Sequence, residues 1–280
     1  MSLKVSIVVP SKNYIYLRYL LRRLSKQTVN PSEIVLVIKD CNAEVIERIC
    51  SKHSLRCTII EQKKGFFTHA LNIGKKEASG DIIIFTDDDA IPPTRWIEKY
   101  TKLYKTCPGN IGGISSRDIH IDINERRVLR TPDDTLHVRL YRWLIRTWYE
   151  QPHPLLKRYR LGVYLTKKLN IAHGPYLPYK TCYSLPFRGV NMSFRRELIE
   201  DIWFPEHPLL KRAIGNEQYF GLQLILKDYD LIYIPTNPVL HIMHESLSRS
   251  LDNSYVKYEL NIMKELYKKL LLNSKAIQAI

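Results

Sequence analysis

The chain has 280 residues, 45% hydrophobic and 25% charged, with 43 Lys and Arg against 28 Asp and Glu for a net charge of +15. That length carries a core without disulfide or metal staples, and the composition excludes a wholly disordered, collagenous or coiled-coil chain. The basic excess calls for an anionic partner (nucleic acid, phosphorylated substrate or lipid headgroup) without choosing among them.

Cys41, Cys50, Cys57, Cys107 and Cys182 are odd in number and form no C-x-x-C pair. They fit neither a disulfide framework nor a zinc site, and a reducing compartment is expected. The apolar stretch before Pro10 is too short for a signal peptide, and no run reaches the ~18 apolar residues of a membrane span. The expectation is a cytoplasmic chain, peripheral at most at the inner face of the cell membrane.

Leu3 to Val9 is apolar and β-branched, which predicts a buried strand stopped by Pro10. Helical spacing of Leu17, Leu20, Leu21 and Leu24 predicts a helix over 14–27. The same reading gives strands at 33–39, 56–61 and 81–86, and helices at 43–53 and 65–78. Continuous apolar strands with helical crossovers predict a mostly parallel, Rossmann-like sheet flanked by helices, an α/β architecture. Ligands of such sheets bind beyond the carboxyl ends of the strands. Pro10, Ser11 and Asn13, then Asp40, then Asp87, Asp88 and Asp89 all fall on that edge. Neither a G-x-G-x-x-G turn nor a P-loop is present.

Beyond residue 118 the pattern is less regular. A helix is predicted near 135–149, another is entered from 187–199, and one more runs to about Lys227. Short strands are predicted at 231–235 and 239–241, in a smaller mixed region, and an amphipathic helix at 255–272. Residues 135–180 hold nine Lys or Arg against one acid, Glu150. On a helix, Leu136, Leu140, Trp143 and Leu144 share a side, with Arg139, Arg142 and Arg146 as an adjoining stripe. Such a face suits an anionic membrane or a lipid-linked acceptor, a nucleic-acid backbone less so, and equally a helix packed on its own domain.

Three consecutive aspartates repel one another unless they share a cation. Clustered carboxylates at a strand end suit Mg²⁺ or Mn²⁺ held against a phosphate. The bland reading is a solvated acidic turn, which would leave a basic membrane- or nucleic-acid-binding module with a structural acidic cluster.

In six ordered blocks the sequence resembles the family 2 glycosyltransferases, which have the GT-A fold. The blocks are Val5 to Pro10 with Lys12-Asn13, Ile34 to Asp40, Gly65 to Gly74, Phe85 to Asp89, Gly189 to Arg196, and Gly215 to Pro235 followed by His241. The resemblance implies an inverting transfer of a sugar from a nucleotide-diphosphate donor, uridine being the first base expected. It implies donor contacts at Pro10, Ser11, Asn13, Asp40, Asp87 and Asp88, and a divalent metal on Asp89 and His241, with His244 as competitor. It implies an acceptor side at Arg188 and Asn191, a glycan or lipid-linked acceptor, and Glu217 as general base. Three positions depart from the family pattern: Lys39 and Leu71 stand where Asp and Arg are usual, and the E-D pair appears as Asn216-Glu217-Gln218. The expected division is a nucleotide-sugar half (1–117), a basic aromatic insertion (118–186), an acceptor-side and catalytic half of the same domain (187–250) and a C-terminal helical segment (251–280).

Overall fold

The computed structural model describes residues 3–12, 14–244 and 253–278. Its first half follows the predicted alternation. Strands β1 (Val5–Ser11), β2 (Glu33–Ile38), β3 (Cys57–Glu61) and β4 (Ile82–Phe85) alternate with helices α1 (Tyr14–Leu24), α2 (Ala43–Lys52) and α3 (Phe67–Glu77). β1 pairs parallel with β2 and β4, and β2 with β3. β1, β2 and β4 bury both faces, as their continuous apolar runs require, and β3 at the edge is half-buried. Val5, Ile7 and Val9 enter one core with α1 and α2, while Val8 enters the other with Ala70 and Leu71 of α3.

The sheet continues through residues that the sequence pattern leaves unassigned. After the short β5 (Ala90–Ile91) and α4 (Trp96–Thr106), the twelve-residue β6 (Ile111–Asp122) crosses the expected 117/118 boundary as one strand. A hairpin partner, β7 (Arg127–Val128), follows it. Residues 187–199 correct the predicted helix: Met192–Arg195 form β11, antiparallel between β4 and β6, with only a 3₁₀ turn at Arg196–Leu198. Met192 and Phe194 are buried among core aromatics, so sheet pairing overrides the local helix propensity of R-R-E-L. The two short strands predicted after residue 231 are one strand, β12 (Asp230–Ile242), parallel to β6 and interrupted by a register shift between Ile234 and Val239. Pro235 and Pro238 supply no ladder N–H there. Among the described residues the result is a ten-stranded mixed sheet.

The insertion adds a small hairpin, β8 (Val163–Leu165) with β9 (Ile171–His173), and β10 (Cys182–Tyr183) on the sheet's far edge. Within it α5 (Leu136–Tyr141), a π-helical turn at Arg142–Arg146 and α6 (Thr147–Tyr149) run on as one helix. Helix α7 (Asn216–Ile225) and α8 (Asn253–Gln278) complete the chain. The cysteine expectation is corrected at one pair: Cys50 at the end of α2 and Cys57 at the start of β3 form a disulfide, their Cα atoms 6.3 Å apart across a tight turn. Cys41, Cys107 and Cys182 remain thiols.

Helix α8 has a specific structural task. Glu259, fully buried, accepts backbone N–H groups from Lys211, Arg212 and Ala213 at 2.7–3.0 Å. Tyr267 donates its hydroxyl to the carbonyl of Gly215 at 2.7 Å. Gly215 has φ +93°, a conformation suited to glycine, and opens α7. Glu259→Ala leaves three backbone donors unmet, that of Ala213 buried, and is expected to destabilise the protein by about 3 kcal/mol, read as a lowered midpoint in denaturant or heat.

Candidate active site

The carboxyl edge of β1, β2 and β4 gathers the expected residues. Ser11 ends β1, buried, and donates its hydroxyl to Asp88 at 2.6 Å. Pro10 lies beside it within the strand. Asp40 follows β2 with φ +56°, exposed, its carboxylate 3.8 Å from Lys12 Nζ. Asn13 lies outside the described residues. Lys39 turns its amine to the carbonyl of Gly65, and His69 pairs with Glu206 at 2.9 Å.

The three aspartates take different directions. Asp88 faces Ser11, whereas Asp87 and Asp89 approach His241, with candidate ligand atoms of all three within 4.8 Å of one another. Asp89 is only 7% exposed. His241 Nε2 is 3.3 Å from Asp89 Oδ1, and His244 Nε2 is 2.9 Å from Asp89 Oδ2. The His244 ring stacks on Tyr16, centroids 4.3 Å apart. Both histidines therefore reach Asp89, and His241 also joins Asp87.

On its other side His241 Nδ1 is 3.1 Å from Asp118 Oδ2. The same Asp118 oxygen lies 2.9 Å from His120 and 3.0 Å from Arg188. A carboxylate behind an imidazole fixes the ring and directs its second nitrogen forward, the arrangement that orients a ligating histidine. Asp118 and His120 alternate on β6 and so project to one side. The alternation of Asp118 and His120 with Ile119 and Ile121 is the signal by which sequence reasoning could have found them.

The electrostatics are those of a buried acidic cluster partly balanced by histidine. Burial, then the charge of Asp89, pushes the Asp87 carboxyl up to about 8. Burial also opposes ionisation of Asp89, but hydrogen bonding and charge from His241, then His244, hold it below the usual range. His241 is carried up to about 10: burial disfavours its cation, and Asp118 and Asp89 outweigh that. Asp89 Oδ1 and Asp118 Oδ1 are buried without a hydrogen-bond donor. The carboxyl groups of Asp87 and Asp89, the latter with a buried oxygen that no donor meets, and the imidazole of His241 form a donor set that fits Mn²⁺ or Mg²⁺.

Glu217 stands in the first turn of α7, where the helix dipole favours a carboxylate. Burial nevertheless raises it above its ordinary value. It lines a cavity of about 370 Å³ between β9, α7 and α8. Ile171, Phe187, Leu260 and Met263 give apolar walls, and Arg188 and Lys264 share the lining. Gln218 ties α7 to this wall by donating to the carbonyl of Pro186 at 2.7 Å.

Arg188 is largely occupied within the protein. It bridges Asp118 to Asp133, the latter at 2.9 Å, and Asp133 also pairs with Arg142 and lies 3.4 Å from His173. Asn191 differs from the acceptor-side contact expected for it. Its side chain is completely buried, accepts from Trp96 Nε1 at 3.0 Å and Tyr100 at 2.7 Å, and donates to the carbonyls of Arg117 and Asn237. With its hydrogen-bonding positions spent, Asn191 is a tie between α4, β6 and β12.

Comparison with known proteins agrees with this architecture. The Glycosyl transferase family 2 profile matches residues 6–174, more than half of the chain. An uncharacterized glycosyltransferase, YwdF of Bacillus subtilis, is 37% identical over 107 residues, 38% of this chain and 40% of that protein. The poly(ribitol-phosphate) beta-N-acetylglucosaminyltransferase TarS of Staphylococcus aureus is 30% identical over 93 residues, 31% of this chain and 16% of that protein. The matched stretches thus span well under two thirds of either relative. Among solved structures, residues 1–349 of S. aureus TarS in complex with UDP-GlcNAc superpose with a TM-score of 0.58 at 17% identity, covering 93% of this chain and 65% of that one. The mannosyltransferase PcManGT of Pyrobaculum calidifontis, in complex with GDP-Man and Mn²⁺, gives 0.56 at 17% identity, covering all of this chain and 75% of that one. With a GT-A fold and this profile match, the chain belongs to glycosyl transferase family 2.

Proposed function

We propose that the protein transfers a sugar from a nucleotide-diphosphate donor to an acceptor hydroxyl with inversion at the anomeric carbon. The observation that carries this reading is the convergence of Asp87, Asp89 and His241 at the carboxyl edge of the sheet, with His241 linked through Asp118 and Arg188 to a cavity whose wall holds Glu217. Asp40 contacts the base, and Pro10, Ser11, Asn13, Asp87 and Asp88 line the donor side. Asp87, Asp89 and His241 hold the divalent cation, which when bound offsets charge on the leaving diphosphate.

The acceptor enters the cavity, and Glu217 takes the proton of its hydroxyl as the oxygen attacks. A bond forms between that oxygen and the anomeric carbon while the carbon–diphosphate oxygen bond breaks on the opposite face. Arg188, held by Asp118 and Asp133, keeps a fixed positive charge at the rim. The acceptor is a glycan, read here as lipid-linked, which puts the protein at the inner face of a membrane. UDP and GDP are the first nucleotides to try, since TarS and PcManGT are complexed with UDP-GlcNAc and GDP-Man.

Thermal unfolding with UDP, GDP and dTDP, with Mn²⁺ or with chelator, tests the donor half of the reading. A nucleotide at 100 times its dissociation constant is expected to add roughly 2.7 kcal/mol of stability with Mn²⁺ present, and much less with chelator. No shift with any nucleotide would leave the acidic cluster a structural turn.

A further inference from the structure

The 136–149 helix is built the opposite way round from a helix packed on its own domain. Its large apolar side chains face outward: Trp143 is 64% exposed, Trp148 78% and Tyr149 86%, with Leu136, Leu140 and Leu144 also exposed. Its arginines turn inward. Arg142 is buried against Asp133, Arg146 pairs with Glu150, and Arg139 lies over the Tyr179 ring at 4.6 Å. The sequence pattern placed these arginines beside the apolar face at the surface; the structure spends them on holding the helix down. A contiguous exposed face of this kind marks an interaction site.

The surrounding charge says which kind. Every acid between residues 126 and 180 is engaged with an arginine: Asp133 with Arg142 and Arg188, Asp134 with Arg117, and Glu150 with Arg146. The exposed charges flanking the helix are basic. Arg130 precedes it, and Lys167, whose amine reaches Gln151 at 2.6 Å, sits with Lys168 just past its end. Leucine, tryptophan and tyrosine at the centre and lysine and arginine at the rim match the acyl boundary, interface and phosphates of an anionic bilayer. A second copy of the chain packed symmetrically on this face would bring the same cations together.

We propose that the 136–149 helix docks the protein on an anionic lipid bilayer, lying in the interface with Leu140, Leu144 and Trp148 toward the acyl chains. The docking stands apart from the transferase reading, because it needs neither donor nor metal. Its inner face meets the site through Arg142, Asp133 and Arg188.

Flotation of the full chain with vesicles containing phosphatidylglycerol, against vesicles of phosphatidylcholine alone, tests this directly. The expected result is binding to the anionic vesicles that weakens as salt is raised, with tryptophan fluorescence quenched by brominated acyl chains. The double variant Leu144→Ser, Trp148→Ser is expected to lower vesicle affinity at least about tenfold, with its thermal midpoint and nucleotide response unchanged. Protein that stays in the soluble fraction with both vesicles overturns the proposal, as does a double variant that floats like the parent. A lipid-free dimer that the double variant converts to monomer also overturns it and assigns the face to a second copy.

Discussion

Glu217→Gln is expected to lower the rate of transfer by about 10²–10⁴-fold, the range supplied by a positioned general base. The substitution keeps size and removes only the ability to take a proton. Glu217 is held in place by several independent ties: Gly215 starts α7, Tyr267 fixes Gly215, and Gln218 fixes the helix to the Pro186 carbonyl. Donor affinity should be unchanged, because the nucleotide side is built from other elements, so the loss falls on kcat. The pH dependence follows from burial. A carboxylate base works deprotonated, and burial raises Glu217 above its ordinary 4.5. Activity should therefore fall as pH is lowered through a value above 4.5, and that limb should vanish in the residual activity of the Gln variant. A Gln variant with near-parental turnover would remove Glu217 from the base role.

The first, parallel half of the sheet was legible because parallel sheets advertise themselves. Continuous apolar strands with helices between them fix which strand ends meet, and so bring Ser11, Asp40 and the aspartate triplet to one edge from sequence alone. The second half of the chain was not, for reasons visible in particular residues. β6 hides behind Gly112, Gly113, Ser115 and Ser116, small residues with weak strand propensity, packed against Phe194, Leu231 and Tyr229 from distant parts of the chain. Asp118 and His120 were missed with it. Asn191 reads like a site residue in a motif, but its neighbours Trp96 and Tyr100 belong to a helix that the pattern did not disclose. Helical periodicity groups Arg142 with Arg139 and Arg146 but cannot show that a buried Asp133 waits beneath it. Charge pairing across long sequence separations is what local pattern leaves out.

Asp89→Asn is expected to reduce metal-dependent transfer on the order of 10²–10³-fold, or ~3–4 kcal/mol of transition-state stabilisation. Of the three aspartates it is the one whose two oxygens meet His241 and His244, and its Oδ1 has no hydrogen-bond donor. The amide retains the shape but offers a neutral oxygen in place of an anionic one, which weakens a divalent cation most of all. The informative readout is separate from turnover. In the parent, Mn²⁺ should enlarge the nucleotide-induced thermal shift; in Asp89→Asn the nucleotide shift should persist at the size seen with chelator, and Mn²⁺ should add nothing. Ser11→Ala gives the contrast, since it frees Asp88 from its 2.6 Å hydrogen bond while leaving Asp87, Asp89 and His241 in place, and should keep the Mn²⁺ increment. An Asp89→Asn protein that still shows the full Mn²⁺ increment would move the cation to the neighbouring Asp118, His120 and His241 group, among the described residues the other constellation whose ligand atoms lie within 4.8 Å of one another.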